Sequence, residues 1–140
     1  MSYKKLNFLL IEDDEVDIMT VRRAFKKHNL DHQLWTASNG VEALELLSPD
    51  SQDYPSHNRL ILLDLNMPKM GGIEFLHQLR SHPELKKIPV IVLTTSNEDE
   101  DKVKAYNFNV AGYMIKPVTF ESFLETIATL NQYWMMSEIL

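Results

Sequence analysis

Short apolar runs alternate with longer stretches of helical periodicity from one end of the chain to the other. A short run that is apolar throughout predicts a buried strand, and apolar residues that recur every three or four positions predict an amphipathic helix. The five predicted strands are residues 6–11, 33–37, 60–64, 88–94 and 110–115. Because each strand is followed by a helical stretch, the pattern favours an α/β fold, a doubly wound parallel sheet with helices on both faces.

Five helices are predicted between and after these strands. The first covers residues 15–28, the second 40–47 and the last 119–134, while the third follows the Gly71-Gly72 pair and the fourth follows the acidic segment 96–100. The acids of that segment are expected to start the fourth helix rather than to bind a ligand. The apolar sides of the first three helices are Ile18, Val21 and Phe25; Val41, Leu44 and Leu47; and Ile73, Leu76 and Leu79.

One further segment, residues 48–58, is polar and contains Pro49 and Pro55, so it is expected to be a surface loop without chemistry. Composition then limits the classes of function. With 140 residues, 44% of them hydrophobic, the chain is expected to form a single domain over residues 1–140, with 133–140 as a C-terminal tail. The formal net charge of −6 argues against nucleic acid binding, because no broad basic surface is available.

No apolar run is long enough for a membrane span or a signal peptide. The chain also contains no cysteine, so disulfides and thiolate metal sites are excluded. We therefore expect a cytoplasmic protein with no membrane partner.

Charged and hydroxyl side chains collect where the predicted strands end. The first strand is followed by Glu12, Asp13 and Asp14, while Asp64, Thr94 and Lys116 end or follow the third, fourth and fifth strands. Ligands of doubly wound sheets bind at the carboxyl ends of the strands. Carboxylates crowded at one edge repel one another, and a divalent cation such as Mg²⁺ offsets that repulsion. Asp14 is more often a helix cap than a member of such a site.

This set of groups predicts a specific reaction. With a metal ion and the Lys116 ammonium beside it, an Asp64 oxygen can attack an activated phosphorus atom, and the product is an aspartyl phosphate. Thr94 offers a hydroxyl donor to the same phosphoryl group.

Four segments resemble the signature segments of the response-regulator receiver family of two-component signalling. They are Ile-Glu-Asp-Asp at 11–14, Leu-Leu-Asp-Leu-Asn-Met-Pro at 62–68, Leu-Thr-Thr at 93–95 and Gly-Tyr-Met-Ile-Lys-Pro at 112–117. The resemblance implies a flavodoxin-like fold with five strands in the order 2-1-3-4-5 and five helices. The loop before the third strand, segment 81–89 and the tail containing Tyr133-Trp134 are similar to small stand-alone regulators that serve bacterial phytochromes.

The resemblance also implies roles for individual residues around a bound Mg²⁺. Asp64 is the implied phosphoacceptor, and Asp13, Asp64 and the backbone carbonyl of Asn66 are the implied metal ligands. Glu12 completes the acidic pair and acts mainly through a bound water. The partner implied is a sensor histidine kinase or a histidine phosphotransfer protein.

The family resemblance assigns the remaining site residues to the phosphoryl group and to a switch. Thr94 and Lys116 are implied to contact the phosphoryl group, and the Lys116-Pro117 bond is usually cis. Tyr113 resembles the switch aromatic that moves with Thr94, and the alternative, a half-buried strand tyrosine, is the less favoured one. The implied switch face, made by the fourth helix, fifth strand and fifth helix, could form a homodimer together with tail residues 135–140.

Three other functions are weighed against this reading. A flavodoxin-type module needs a phosphate loop, where Glu12, Asp13 and Asp14 would repel phosphate. A Mg²⁺-dependent phosphohydrolase that uses an aspartyl phosphate usually has a second acid two residues after its nucleophile, where this chain has Asn66. A receiver-like interaction module without phosphorylation normally lacks a key residue, and none is missing. The expected protein is thus no conventional enzyme, although it catalyses its own phosphorylation and dephosphorylation.

Overall fold

The computed structural model describes residues 6–27, 33–65, 67, 70–94, 109–116, 119, 121–122 and 125. Its strands pair side by side, all parallel, into one five-stranded sheet with the order β2-β1-β3-β4-β5. This confirms the predicted α/β sheet and its strand order. The strands are β1 (Asn7–Ile11), β2 (Gln33–Ala37), β3 (Arg59–Asp64), β4 (Val90–Thr94) and β5 (Gly112–Ile115).

Three α-helices and one short 3-10 helix accompany the sheet in the described residues. They are α1 (Glu15–Lys27), α2 (Gly40–Leu47), α3 (Gly72–Ser81) and the 3-10 helix Leu85–Lys87. Residues 121, 122 and 125 are helical, where the last helix was predicted. The predicted fourth helix and most of the fifth lie outside the described residues. No helix in the described ranges has the length and apolar character needed to cross a membrane.

Side chains of successive strand residues point to opposite faces of the sheet. Both faces are buried, because each one belongs to an apolar cluster that also includes helix residues. Along β1, Leu9 and Ile11 belong to one apolar cluster, and Phe8 and Leu10 belong to another. Helix α3 packs into the first cluster through Phe75, Leu76 and Leu79, and α1 packs into the second through Val21 and Phe25. The interior strands β1, β3 and β4 are therefore almost continuously apolar.

The predicted apolar side of α2 is wrong at one position. Val41 is 44% exposed, while the buried residues of this helix are Gly40, Ala43 and Leu47. The buried side of α2 therefore begins one residue earlier, at Gly40, which has no apolar side chain to indicate it. A Cβ at Gly40 would lie only 2.8 Å from the Met70 side chain, so the small residue permits close packing there.

The segment 48–58 is a mostly exposed loop, as predicted, but one of its residues is buried. Tyr54 in this loop is only 2% exposed, and its hydroxyl donates to the backbone carbonyl of Asn7, 2.6 Å away. The Trp35 ring meets the Tyr54 ring edge to face at 5.1 Å, and the Arg59 guanidinium lies 5.0 Å from the centroid of the Tyr54 ring. Burial raises the pKa of the Tyr54 hydroxyl. The loop is thus anchored across the start of β1, opposite the strand ends that carry the acids.

Candidate functional site

The register of the sheet brings the acidic residues to one edge. Strands β1 and β3 are parallel neighbours in which Ile11 pairs with Leu63. Glu12 follows Ile11 and Asp64 follows Leu63, so the pairing places these two acids side by side. Lys116 follows β5 directly and comes to the same edge from the far side of β4.

Glu12, Asp13 and Asp64 form a compact acidic cluster. Each offers a carboxylate oxygen, and these oxygens lie within 4.8 Å of one another. Glu12 is completely buried and Asp64 is 4% exposed, whereas Asp13 is exposed. Burial disfavours the charged form of Glu12, and the Asp64 carboxylate adds to this effect. Although the Lys116 ammonium opposes both effects, the pKa of Glu12 rises to about 7.

The Lys116 ammonium is held by three carboxylates. Its Nζ lies 2.5 Å from Glu12 Oε1, 3.1 Å from Asp17 Oδ2 and 3.3 Å from Asp64 Oδ2. Burial alone would lower the pKa of Lys116, but the surrounding carboxylates outweigh that effect and raise it. The lysine therefore remains a cation across the physiological range.

Asp14 starts helix α1, as predicted for a cap. Its Oδ1 accepts hydrogen bonds from the backbone N–H groups of Val16, at 2.8 Å, and Asp17, at 3.3 Å. Its own backbone N–H donates to Glu12 Oε2 at 3.3 Å. The turn that follows β1 therefore orients both Glu12 and the first turn of α1.

Helix α3 begins in direct contact with the backbone that carries Asp64. A Cβ at Gly72 would lie 2.6 Å from Leu65 Cα and 2.9 Å from the Asp64 carbonyl oxygen. The Gly72 N–H donates to the Leu65 carbonyl at 3.1 Å. Just before the helix, Met70 adopts a positive φ of 47°, which is uncommon for a residue with a side chain. The absence of a side chain at Gly72 thus fixes how closely α3 approaches the end of β3.

The other predicted site residues are placed only in part. Thr94 is the last residue of β4 and pairs with Ile115, so its backbone reaches the same edge of the sheet. The side chain of Thr94, as well as Asn66 and Pro117, lies outside the described residues. Tyr113 is half-buried and packs against the apolar cluster that contains Leu9 and Phe75.

Asp17 is a site residue that the sequence reading missed. It lies one helical turn before Val21, which is 1% exposed and belongs to the inward side of α1. Asp17 could have been identified from its spacing, because it lies four residues before Val21 and therefore on the same side of α1.

The arrangement is one cation among an excess of carboxylates. Lys116 faces Glu12, Asp17 and Asp64, and Asp13 adds a further negative charge. Several hard oxygen ligands with uncompensated charge suit Mg²⁺ or a similar divalent ion. The residues present therefore fit such an ion, and the Lys116 ammonium can face a second anionic group.

Comparison with known proteins identifies the family. The response regulator receiver domain family matches residues 8–128. The response regulator Rcp1 of Synechocystis sp. is 34% identical over 129 residues, which cover 91% of this chain and 87% of Rcp1. The structure of its Mn²⁺-bound form has a TM-score of 0.70, with 33% identity over 92% of this chain and 94% of that one.

Two further structures are similar over most of their length. A two-component response regulator from Legionella pneumophila has a TM-score of 0.80 and 38% identity, covering 91% of this chain and 99% of its own. The bacteriophytochrome response regulator RtBRR has a TM-score of 0.77 and 36% identity, covering 89% of this chain and 77% of its own. The chain described here therefore belongs to the response regulator receiver domain family of two-component systems, with phytochrome response regulators among its close relatives.

Proposed function

We propose that this receiver domain takes a phosphoryl group onto Asp64 from the phosphohistidine of a sensor histidine kinase or a histidine phosphotransfer protein. One observation carries the choice of Asp64. Among the described carboxylates, Asp64 both belongs to the acidic cluster and contacts Lys116 while part of its side chain, 6%, remains exposed. Glu12 shares the first two properties but is fully buried, with Oε1 on Lys116 and Oε2 on the Asp14 N–H.

The remaining acids are less suited to attack phosphorus. Asp13 belongs to the cluster and is exposed, but no ion pair joins it to Lys116 among the described contacts. Asp17 contacts Lys116 from helix α1 and is not part of the cluster. A nucleophile in this reaction needs a cation close enough to neutralise charge that develops on the phosphoryl oxygens. Asp64 is the acid that combines these requirements.

Mg²⁺ is the proposed cofactor, held by Glu12, Asp13, Asp64 and the backbone carbonyl of Asn66. When bound, it would neutralise the cluster and the negative charge of the phosphoryl oxygens. The compact set of carboxylate oxygens supports this assignment, as does the Mn²⁺-bound form of the relative Rcp1.

The chain's own side chains would divide the work of phosphoryl transfer. Asp64 Oδ forms the new bond to phosphorus while the bond from phosphorus to the histidine nitrogen breaks and the imidazole leaves. Lys116, with Nζ already 3.3 Å from Asp64 Oδ2, would turn to the phosphoryl oxygens. The Thr94 hydroxyl would donate to the same phosphoryl group. Movement of Thr94 toward Asp64 would allow Tyr113 to move inward, and this is the proposed switch.

The output of the proposed switch is noncovalent. We propose that residues 1–140 form one receiver domain in the cytoplasm, with 133–140 as its tail, and that signalling proceeds by partner contact or phosphorelay. The proposed homodimer surface comprises the fourth helix, β5, the fifth helix and the tail. Of these elements the described residues include β5, in which Ile115 is 52% exposed.

Intact mass measured after incubation with acetyl phosphate and Mg²⁺ tests this proposal. The wild type should gain the mass of one phosphoryl group, and the gain should disappear on chelation of Mg²⁺. Asp64→Asn should gain none, because the amide cannot form an acyl phosphate. Asp50→Asn removes an exposed acid from the loop before β3 and should behave like the wild type. An unchanged mass gain in Asp64→Asn would reject Asp64 as the acceptor.

A further inference from the structure

Three carboxylates surround the Lys116 ammonium in the structure. Glu12, Asp17 and Asp64 each approach Nζ to 3.3 Å or less, and an ammonium has three donors and no more. A phosphoryl group on Asp64 needs at least one of these donors. The phosphoryl group replaces the Asp64 contact, and its oxygens then compete with Glu12 and Asp17 for the donors of Lys116.

Exposure decides which partner leaves most easily. The Glu12 side chain is 0% exposed and Asp64 is 6% exposed, while Asp17 is 23% exposed. A carboxylate that leaves a cation is stable only if water or another donor replaces the lost contact. Water can reach Asp17, whereas Glu12 Oε1 is buried and would lose the ammonium as its partner. Asp17 is thus the partner whose release costs least.

The location of Asp17 separates it from the proposed metal ligands. It lies in the first turn of α1, and its backbone N–H is held by Asp14 Oδ1 at 3.3 Å. Its carboxylate is absent from the cluster formed by Glu12, Asp13 and Asp64. Its connection to the site is therefore the 3.1 Å contact with Lys116.

We infer that Asp17 is a displaceable counter-ion that holds Lys116 in the unphosphorylated protein and competes with the phosphoryl group for the same ammonium. This inference rests on the proposed function of Asp64. Asp17 is a positioning residue: it sets how readily Lys116 turns to the phosphoryl oxygens and does not take part in bond making. Its negative charge also repels an anion bound beside Lys116, so both effects favour the unphosphorylated state.

Equilibrium binding of beryllofluoride, a phosphoryl analogue, in the presence of Mg²⁺ tests this competition, with the bound species followed by fluorine NMR. Asp17→Asn removes the charge and weakens the competing contact, so beryllofluoride should bind about three- to tenfold more tightly than to the wild type. Asp17→Glu keeps the charge and a side chain that reaches Lys116, so its affinity should stay close to that of the wild type.

Asp14→Asn is the matched control. It removes the same charge from the same turn, keeps a side-chain oxygen that can cap α1, and leaves all three contacts of Lys116 in place. Mg²⁺ titration without beryllofluoride should change alike in Asp17→Asn and Asp14→Asn, because both feel only the loss of a nearby charge. The two variants should differ in their affinity for beryllofluoride.

The outcomes distinguish this inference from the proposed function. If Asp17→Asn binds beryllofluoride no more tightly than Asp14→Asn, or more weakly than the wild type, the competition is rejected. If the wild type binds neither beryllofluoride nor a phosphoryl group, the proposed function itself is rejected. Tighter binding in Asp17→Asn alone, with wild-type behaviour in Asp17→Glu, establishes the competition.

Discussion

Replacing Gly72 by alanine should disturb Asp64, the proposed phosphoacceptor, without touching any charged group. The added Cβ would lie 2.6 Å from Leu65 Cα and 2.9 Å from the Asp64 carbonyl oxygen, both of them backbone atoms. Ordinary contacts of a Cβ begin at 3.4 Å, so about 0.8 Å of movement is needed between α3 and the end of β3. None of the described glycines has a positive φ, so lack of space, and not backbone conformation, is the obstacle.

Two effects of this change should be measurable. Overpacking of this kind costs about 1–3 kcal/mol of unfolding free energy, which urea denaturation would report. Displacement of Asp64 by a fraction of an ångström from Lys116 should slow phosphorylation by acetyl phosphate about ten- to hundredfold. Both follow from the same contact, so they should appear together.

The neighbouring glycine provides the matched control. A Cβ at Gly71 would have its nearest heavy atoms, the Leu65 and Met67 carbonyl oxygens, at 3.7 Å. With φ −63° and ψ 173°, the residue also has a backbone conformation open to alanine. Gly71→Ala should therefore resemble the wild type in stability and in phosphorylation rate. Equal behaviour of Gly71→Ala and Gly72→Ala would refute the role assigned to the close approach of α3.

Two further predictions concern the metal and the anchored loop. Mg²⁺ should raise the unfolding free energy of the wild type, by about 2.7 kcal/mol at one hundred times its dissociation constant. Asp13→Asn should lose most of this gain in a thermal unfolding assay, and undiminished stabilisation would contradict its role as a ligand. Tyr54→Phe should cost about 1–2 kcal/mol in urea denaturation, because the buried Asn7 carbonyl loses its 2.6 Å hydrogen bond. Phosphorylation should be unaffected, since Tyr54 lies at the opposite edge of the sheet; a slower rate would contradict that separation.

The sheet could be predicted from the sequence because its interior strands β1, β3 and β4 are buried on both faces and therefore appear as nearly continuous apolar runs. Strand β2 was predicted at its observed bounds, although it is an edge strand in which Ala37 alone is buried. The position of α2 was equally predictable, but its buried side was not. Gly40 and Ala43 form that side because α2 packs closely, and small residues carry little hydrophobic signal.

The burial of Tyr54 could not be predicted from local pattern. It depends on Asn7 and Trp35, which are distant in sequence and belong to other strands. A polar loop composition gives no sign of such a contact.

The site was predictable wherever the chain itself marks the end of a strand. Glu12 and Asp64 follow apolar runs that become neighbours in the sheet, so their proximity follows from topology. Asp17 does not follow a strand, so the sequence gives no such signal for it. Its contact with Lys116, which follows β5, depends on how α1 lies against the sheet. That orientation is set by the packing of Val21 and Phe25 under the sheet.

Locating the phosphoryl group within the chain shows whether Asp64 is the residue that accepts it. Borohydride reduction of the protein treated with acetyl phosphate and Mg²⁺ converts an aspartyl phosphate to homoserine, which peptide mass spectrometry can locate. The crowded carboxylates around Lys116 predict a single conversion at Asp64. Conversion at Glu12, Asp13 or Asp17 instead, or no conversion in a protein that has gained phosphoryl mass, would contradict it.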